Sequence, residues 1–245
     1  MTELAENLAR VETSIVHACE RAGRDRTDVT LVAVSKTYGS DMVREAVEAG
    51  LRHFGENRVE EAVWKIPAVS AQTSMPLTWH MIGHIQSRKA RDVAPLFDVV
   101  HSVDSRKLAE KLAQAVPAGR RLPVLLEWNV SGEASKSGFD GAGWEANRNQ
   151  FEARVADIKV ILALPSLDVR GLMTMAPIVD DIGATRPVFR SLRRLRDALQ
   201  DATGVALPDL SMGMTDDFPV AVEEGATMIR IGRALFGDRV AGAAG

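Results

Sequence analysis

A lysine at the end of a β-branched run is the first residue whose position suggests chemistry. Lys36 follows the run Leu31-Val32-Ala33-Val34-Ser35. Under the two-residue period of a strand, Val32, Val34 and Lys36 share one face. If that face lines an apolar interior, desolvation favours the neutral amine that forms Schiff bases. A solvated lysine in a loop would show the same spacing, so both interpretations stay open at this point.

Two glycine-containing segments near the carboxyl end could bind an anion. Residues 211–215 (SMGMT) and residues 231–234 (IGRA) each follow a short run with strand character. Gly213 and Gly232 would let backbone N–H groups approach an anion closely, and a short helix starting near Ala234 would direct its positive end toward it. The same pattern is also compatible with ordinary turn glycines.

An arginine between these segments completes the set. Arg230 has the same strand parity as Gly232 and would point inward with it. A buried guanidinium needs a partner, which is either a carboxylate such as Glu127 or an acceptor on a ligand, for example an aromatic nitrogen. A lysine, an anion cup and an inward arginine together suggest pyridoxal 5′-phosphate, which presents an aldehyde, a phosphate and a ring nitrogen.

The elements that must position these residues alternate along the chain. After an amphipathic helix over residues 3–22, the pattern predicts eight strands, each followed by a helix: Thr30–Val34, Arg52–Gly55, Thr78–Ile82, Val99–Ser102, Pro123–Val130, Asp168–Thr174, Asp209–Ser211 and Met228–Ile231. The expected helices lie near 41–49, 58–66, 88–94, 105–115, 144–163, 183–202, 217–224 and from 234 onward. Eight such units in 245 residues predict a single-domain (β/α)8 barrel over residues 1–245, with an extra N-terminal helix and the site at the carboxyl ends of the strands. A doubly wound open sheet would need a glycine-rich turn after the first strand, and residues 35–39 hold one glycine.

Composition narrows the classes of function. A net charge of −3 and 5% aromatic residues argue against nucleic-acid binding. No apolar run is long enough to cross a membrane, and the first residues lack a secretory pattern, so we expect a cytoplasmic protein. The single cysteine excludes an internal disulfide, and no metal-ligand spacing stands out. Among the histidines, His17 and His53 are expected at the surface or a strand edge, whereas His84 and His101 stay open candidates.

A series of short motifs, in order, identifies a resemblance. They are residues 33–37 (AVSKT), 54–57 (FGEN), 79–83 (WHMIG) with Gln86, 129–131 (NVS) with Glu133 and Lys136, 171–173 (GLM), 211–214 (SMGM) with Asp216 and Asp217, and 230–232 (RIG). Together they resemble the YggS/PROSC-like family of pyridoxal phosphate homeostasis proteins, over roughly residues 5 to 238.

The resemblance implies a barrel like the N-terminal domain of alanine racemase, with the cofactor held as an internal aldimine on Lys36. It implies a phosphate surrounded by Ser211, Met212, Gly213, Met214 and Gly232, and a ring near Asn57, His80, Met173 and Arg230. Two positions depart from the family pattern. Arg233 stands where a Thr or Ser is usual, and Ser87-Arg88-Lys89 replaces a usual x-Asn-Lys.

Binding without turnover is the expected role. Racemisation needs acid–base groups on both faces of the cofactor, and the one tyrosine, Tyr38, lies two residues from Lys36. An arginine at the ring nitrogen weakens the cofactor as an electron sink. The resemblance implies a protein that holds the cofactor and delivers it, with apo-enzymes that use the cofactor as transient partners. We expect it to be a monomer or weak dimer. The alternatives are a racemase or aldolase that uses this cofactor, with His80 or a neighbouring subunit as the second base, and a cofactor-free Schiff-base aldolase acting on sugar phosphates.

Overall fold

The computed structural model describes residues 2–237. The strands are β1 (Thr30–Val34), β2 (His53–Glu56), β3 (Thr78–Met81), β4 (Val99–Val103), β5 (Leu122–Asn129), β6 (Phe139–Asp140), β7 (Leu167–Met173), β8 (Asp209–Ser211) and β9 (Met228–Ile231). The helices are α1 (Glu3–Ala22), α2 (Ser40–Glu48), α3 (Val59–Ser70), α4 (Ala90–Val93), α5 (Arg106–Ala115), α6 (Arg148–Leu162), α7 (Arg186–Thr203), α8 (Phe218–Glu223) and α9 (Arg233–Phe236). Three 3₁₀ turns span Arg26–Asp28, Ser87–Lys89 and Ile182–Thr185.

Eight of the strands form a closed parallel barrel, as the sequence predicts. The strand order is β4-β3-β2-β1-β9-β8-β7-β5, and the pairing of β4 with β5 closes the ring. All of these pairs are parallel, so every strand ends at the same rim of the barrel. The β1–β9 pair, with Val32 opposite Arg230, brings the first and last strands together.

The two faces of the sheet bury different kinds of residue. The large apolar core lies between the strands and the surrounding helices, and includes Phe54, Trp79, Leu126 and Leu210. The barrel interior is instead rich in polar groups. Because side chains alternate between the two faces of a strand, His80, His101, Glu127, Ser211 and Arg230 share the interior, and all five are buried.

Helix α1 lies outside the repeating βα units and packs on α8 and α9. Thr2 caps its first turn through its hydroxyl, and Gly23 ends it in the left-handed conformation with φ of 65°. Its buried side, formed by Leu4, Val11, Ile15 and Ala18, follows the apolar spacing read from the sequence. No helix among residues 2–237 is long and apolar enough to cross a membrane.

The structure adds one strand to the sequence prediction and shifts several boundaries, those of β2, β3, β4, β5 and β7 by one residue. The short strand β6, which pairs with the end of β5, was not predicted because two residues carry no periodicity. Helix α6 begins at Arg148 and not near residue 144, since Asn147 caps it by accepting a hydrogen bond from the Gln150 N–H. The short last helix, expected near Ala234, begins at Arg233.

Candidate functional site

Lys36 lies in a tight turn directly after β1. The N–H of Tyr38 donates to the carbonyl of Ser35 at 3.1 Å, which places Lys36 and Thr37 at the two central positions. Thr37 has a φ of 70°, a left-handed conformation that is rare for a β-branched residue. Its N–H donates to Glu61 Oε1 at 2.6 Å. The half-buried Lys36 side chain therefore projects from a strained turn that hydrogen bonds hold in place.

A second lysine, which is buried, stabilises this turn through hydrogen bonds. Lys65 on α3 is fully buried, and its ammonium donates to the carbonyl of Ser35 at 2.8 Å and to Glu56 Oε1 at 2.9 Å. The Ser35 hydroxyl donates to the same Glu56 oxygen at 2.6 Å. Glu61, which accepts from Thr37, also accepts from Lys65. Burial raises the pKa of Glu56, although Lys65 and Ser35 act in the opposite direction.

The two glycine loops meet beside β1. A Cβ on Gly232 would lie 3.4 Å from the carbonyl oxygen of Val34, two residues before Lys36. The carbonyl of Gly213 accepts a hydrogen bond from the Arg230 N–H at 3.0 Å, which joins the loop after β8 to β9. The adjacent ends of β1, β9 and β8 thus bring Lys36, Gly232 and Gly213 to one part of the rim.

The three methionines predicted at the site take different positions. Met212 is fully buried in the apolar core between sheet and helices, so its side chain points away from the barrel interior. Met173 is fully buried on the interior face, beside Ser211 and Glu127 in the strand register. Met214 lies in the loop after β8, where its N–H donates to Asp217 Oδ1 at 2.6 Å. Met173 therefore faces the barrel interior and Met214 lies in a rim loop, whereas the Met212 side chain lies outside the barrel.

Arg230 and Ser211 bond to each other inside the barrel. Nη1 of Arg230 donates to Ser211 Oγ at 2.6 Å, and Nη2 donates to the carbonyl of Thr174 at 2.9 Å. Arg230 therefore points inward, as its strand parity predicts. The Ser211 hydroxyl, expected around a phosphate, is fully buried and contacts Arg230 and His101.

The charge of Arg230 is balanced by carboxylates at a distance. Burial lowers the pKa of Arg230 to about 10, and Asp217 and Glu127 oppose that decrease. Burial raises the pKa of Glu127 to about 7, with a further contribution from Asp104. Burial likewise raises the pKa of Asp217. The guanidinium remains protonated at neutral pH and makes its short contacts to neutral oxygens, whereas sequence reasoning considered Glu127 a direct partner.

His80 is held at both ring nitrogens. Its Nδ1 lies 2.8 Å from His101 Nε2, and its Nε2 lies 3.0 Å from His53 Nδ1. Burial lowers the pKa of His80 to about 3 and that of His101 well below its ordinary value. Both rings are therefore neutral at pH 7. His53, expected at the surface or a strand edge, is half-buried at the start of β2 and contacts His80.

Asn57 directly follows β2, which is the neighbour of β1 on the side opposite β9. Its backbone packs against the loop after β3, because a Cβ on Gly83 would be only 2.2 Å from the Asn57 carbonyl oxygen. Asn57 also lines a cavity of about 200 Å³ together with Met81, His84 and Gln86. His84 itself is exposed and pairs with Asp104 at 3.2 Å. Asn57 thus follows β2 and His80 lies on β3, whereas the glycine loops follow β8 and β9.

The two departures from the family pattern lie at the surface. Arg233 is exposed, and its Nη2 donates to both carboxylate oxygens of Asp216, at 2.8 and 3.1 Å. Arg88 donates to Gln86 Oε1 at 2.9 Å, and Lys89 pairs with Glu60 at 2.9 Å. Both replacements therefore form exposed polar contacts between neighbouring residues or loops.

Sequence reasoning assigned no role to several of these residues. Lys65 was missed, although it interrupts an otherwise apolar helical stripe formed by Val59, Ala62 and Val69, which signals a buried charge. The contact between His101 and Ser211 spans 110 positions and left no local signal. Asp217 was noted only as part of a motif, and its three-residue spacing from Met214 is typical of a capping contact.

These features define a class: a (β/α)8 barrel with a half-buried lysine at the rim, glycine loops beside it and a buried arginine below. The family profile described as alanine racemase, N-terminal domain, matches residues 7–240. The pyridoxal phosphate homeostasis protein of Pseudomonas aeruginosa is 45% identical over 244 residues, covering 99% of both chains. That of Aquifex aeolicus is 41% identical over 235 residues, covering 96% of this chain and 97% of the relative.

Solved structures show similarity to the same proteins. PipY of Synechococcus elongatus, in a structure with PLP bound, is 36% identical and matches with a TM-score of 0.79 over 96% of this chain and 100% of PipY. Alanine racemase from Streptomyces coelicolor matches with a TM-score of 0.65 at 18% identity, over 95% of this chain and 59% of the racemase, which shows a shared fold. The chain belongs to the alanine racemase N-terminal domain family and, within it, to the pyridoxal phosphate homeostasis proteins.

Proposed function

We propose that this protein binds pyridoxal 5′-phosphate through a Schiff base with Lys36 and serves its intracellular homeostasis, holding and delivering the cofactor with little or no turnover. One observation carries the proposal: a lysine, the two glycine loops and an inward arginine come together on adjacent strands of one barrel rim. The names of the relatives and the PLP-bound PipY support it. The cofactor would supply an aldehyde that bonds to an amine and can be released from it.

Each part of the site has a distinct task in this proposal. The strained turn presents the Lys36 amine, and Lys65 and Glu61 keep the turn in position. Gly213 and Gly232 allow backbone N–H groups to approach the phosphate, with Met212 contributing only its backbone. Arg230 would face the ring nitrogen as a permanent cation, which disfavours protonation of that nitrogen. Asn57, His80, Met173 and Met214 complete the surroundings of the ring and the phosphate.

The state of two side chains favours binding over turnover. A racemase would need a second base opposite Lys36. His80, considered for that role, is neutral, buried and bonded through both ring nitrogens. The Tyr38 hydroxyl donates to the carbonyl of Gly237 at 2.9 Å, and its ring packs on Phe236. Neither side chain is therefore positioned to accept a proton from a substrate, which favours binding over turnover. A racemase or aldolase that uses the cofactor is the alternative.

Spectra and transfer assays test the proposed role. The purified, reconstituted protein should absorb visible light as a lysine Schiff base, which a cofactor-free aldolase would not. Mixing it with an apo-enzyme that needs the cofactor should restore that enzyme's activity faster than hydrolytic release alone allows. Incubation with single enantiomers of amino acids should cause no racemisation. Rapid racemisation or aldol cleavage would favour the alternative, and absence of the chromophore would contradict cofactor binding.

A further inference from the structure

Five interior side chains form a continuous line of hydrogen bonds through the barrel. Starting at the site, Arg230 Nη1 contacts Ser211 Oγ at 2.6 Å, and Ser211 Oγ lies 2.8 Å from His101 Nδ1. His101 Nε2 then lies 2.8 Å from His80 Nδ1, and His80 Nε2 lies 3.0 Å from His53 Nδ1. We call Ser211, His101, His80 and His53 the histidine relay.

The chemistry of Arg230, which contacts the Ser211 end of the relay, fixes the direction of its hydrogen bonds. Arginine can only donate, so Ser211 Oγ accepts from Arg230. The Ser211 hydroxyl hydrogen then needs an acceptor, and among residues 2–237 the other hydrogen-bond partner of Ser211 Oγ is His101 Nδ1. His101 is consequently protonated at Nε2, which donates to His80 Nδ1. His80 is in turn protonated at Nε2 and donates to His53 Nδ1.

The opposite direction would leave a buried group unsatisfied. If His101 donated from Nδ1, Ser211 Oγ would accept twice and its hydrogen would have no acceptor in a fully buried position. Buried polar hydrogens without a partner are costly, and native structures avoid them. A protonated His101 would add a charge beside the Arg230 cation, which the lowered pKa of His101 also opposes.

We propose that His101 and His80 are positioning residues for Arg230, acting through Ser211 in a relay with one fixed hydrogen-bond direction. The two terminal nitrogens of Arg230 are held by two different oxygens, Ser211 Oγ and the Thr174 carbonyl. That pair of contacts fixes the plane of the guanidinium before any ligand binds. The inference rests on the proposed function only in taking the ligand to be pyridoxal 5′-phosphate.

Nitrogen NMR on the ligand-free protein tests the direction of the relay. With ¹⁵N-labelled histidine, long-range proton–nitrogen spectra at neutral pH distinguish a protonated ring nitrogen from a bare one. His101, His80 and His53 should each show a bare Nδ1 and a protonated Nε2. The Ser211→Ala variant should lose this pattern first at His101, because the donor to its Nδ1 is gone. A protonated Nδ1 on His101 in the wild type would overturn the proposal.

Cofactor retention tests whether the relay acts on Arg230. His101→Leu should weaken retention of pyridoxal 5′-phosphate about tenfold, a typical coupling between contacting groups, whereas His101→Asn, whose amide oxygen can still accept from Ser211, should retain it nearly as the wild type does. In an Arg230→Met background, His101→Leu should have no further effect. Equal losses in the Leu and Asn variants, or additive effects with Arg230→Met, would overturn the positioning role.

The two experiments separate failure of the inference from failure of the proposed function. If the wild type retains no pyridoxal 5′-phosphate, the proposed function fails, while the NMR pattern still decides the direction of the relay. If Arg230→Met does not fold, the Leu and Asn variants of His101 still decide the positioning role, because the comparison needs no change at Arg230. Circular dichroism of each variant establishes that it is folded before retention is compared.

Discussion

The ammonium of Lys65 lies 2.8 Å from the carbonyl oxygen of Ser35, the residue directly before Lys36. The same ammonium pairs with Glu56 at 2.9 Å, and neither side chain is exposed to solvent. A buried ion pair thus contacts the backbone of the turn that presents the proposed reactive amine. The position of Lys36 consequently depends on a residue 29 positions further along the chain.

Lys65→Met should strongly destabilise the fold. The substitution removes one member of a fully buried pair and leaves Glu56 without its cation, which typically costs about 3–5 kcal/mol. The measurement is chemical denaturation at neutral pH. Lys89→Met is a matched control because Lys89 forms a surface ion pair with Glu60, which lies on α3 as Lys65 does. Such surface pairs contribute about 1 kcal/mol or less. Equal destabilisation by the two variants would contradict a special role for Lys65.

The neutral histidines of the barrel make stability depend on pH. Both His80 and His101 have folded pKa values below the unfolded value of 6.5. Below about pH 6.5 the unfolded chain therefore binds more protons, and the free energy of unfolding falls as pH decreases, by about 1.4 kcal/mol per pH unit for each histidine. Between pH 6.5 and 5, His101→Asn should reduce the slope of the free energy of unfolding against pH by about 1.4 kcal/mol per pH unit. Denaturation at several pH values measures this slope.

Glu127 contributes with the opposite sign. Its pKa is raised in the folded state to about 7, so the folded chain binds the additional proton between that value and the unfolded value of 4.5. This favours folding as pH decreases, and Glu127→Gln should therefore steepen the loss of stability on acidification. If Glu127→Gln lost less stability on acidification than the wild type does, a raised pKa of Glu127 would be contradicted.

The two loop glycines should respond differently to alanine. At Gly213 a Cβ would lie 2.6 Å from Ala221 Cβ, and φ is 94°, so Gly213→Ala should destabilise the fold by more than about 1 kcal/mol. At Gly232 a Cβ meets its first neighbour at 3.4 Å, an ordinary contact, so that variant should fold. Gly232→Ala should nevertheless retain less cofactor, because the methyl group hinders close approach of the backbone. Unchanged retention in a folded Gly232→Ala protein would reject the phosphate site.

Arg233→Thr should leave cofactor retention unchanged or slightly stronger. Arg233 and Asp216 are both exposed, and their pair is of the kind that contributes about 1 kcal/mol or less. Threonine restores the hydroxyl that the family usually has there. Equilibrium dialysis at low and high salt provides the measurement. A large loss in the variant, reproduced by salt in the wild type, would make Arg233 a phosphate ligand.

Local patterns were sufficient to predict the barrel and the position of Lys36. The apolar run before Lys36 forms β1, and the strand parity of Arg230 places it inside the barrel. These features depend on residues close together in sequence. The predicted start of α6 was wrong because the cap at Asn147, and not the apolar spacing, determines where the helix begins.

Features that depend on the registry of distant strands could not be predicted. His80 reaches His101 because β3 and β4 pair with His80 opposite Val99, and the sequence alone does not reveal that register. The contacts of the Ser211 hydroxyl to His101 on β4 and to Arg230 on β9 likewise leave no local signal in the sequence. Polar contacts inside a closed barrel depend on the stagger between its strands, and a short stretch of sequence does not reveal that stagger.

Borohydride reduction followed by peptide mapping identifies the lysine that bonds to the cofactor. The protein is saturated with pyridoxal 5′-phosphate, reduced and digested, and the modified lysine is located by mass spectrometry. Lys136, whose ammonium donates to the carbonyl of Met175 at 3.0 Å, is the internal control because it is a second lysine near the rim. We expect modification at Lys36, its disappearance in Lys36→Ala and its persistence in Lys136→Ala. Modification of Lys136 or another lysine in the wild type, with Lys36 unlabelled, would contradict it.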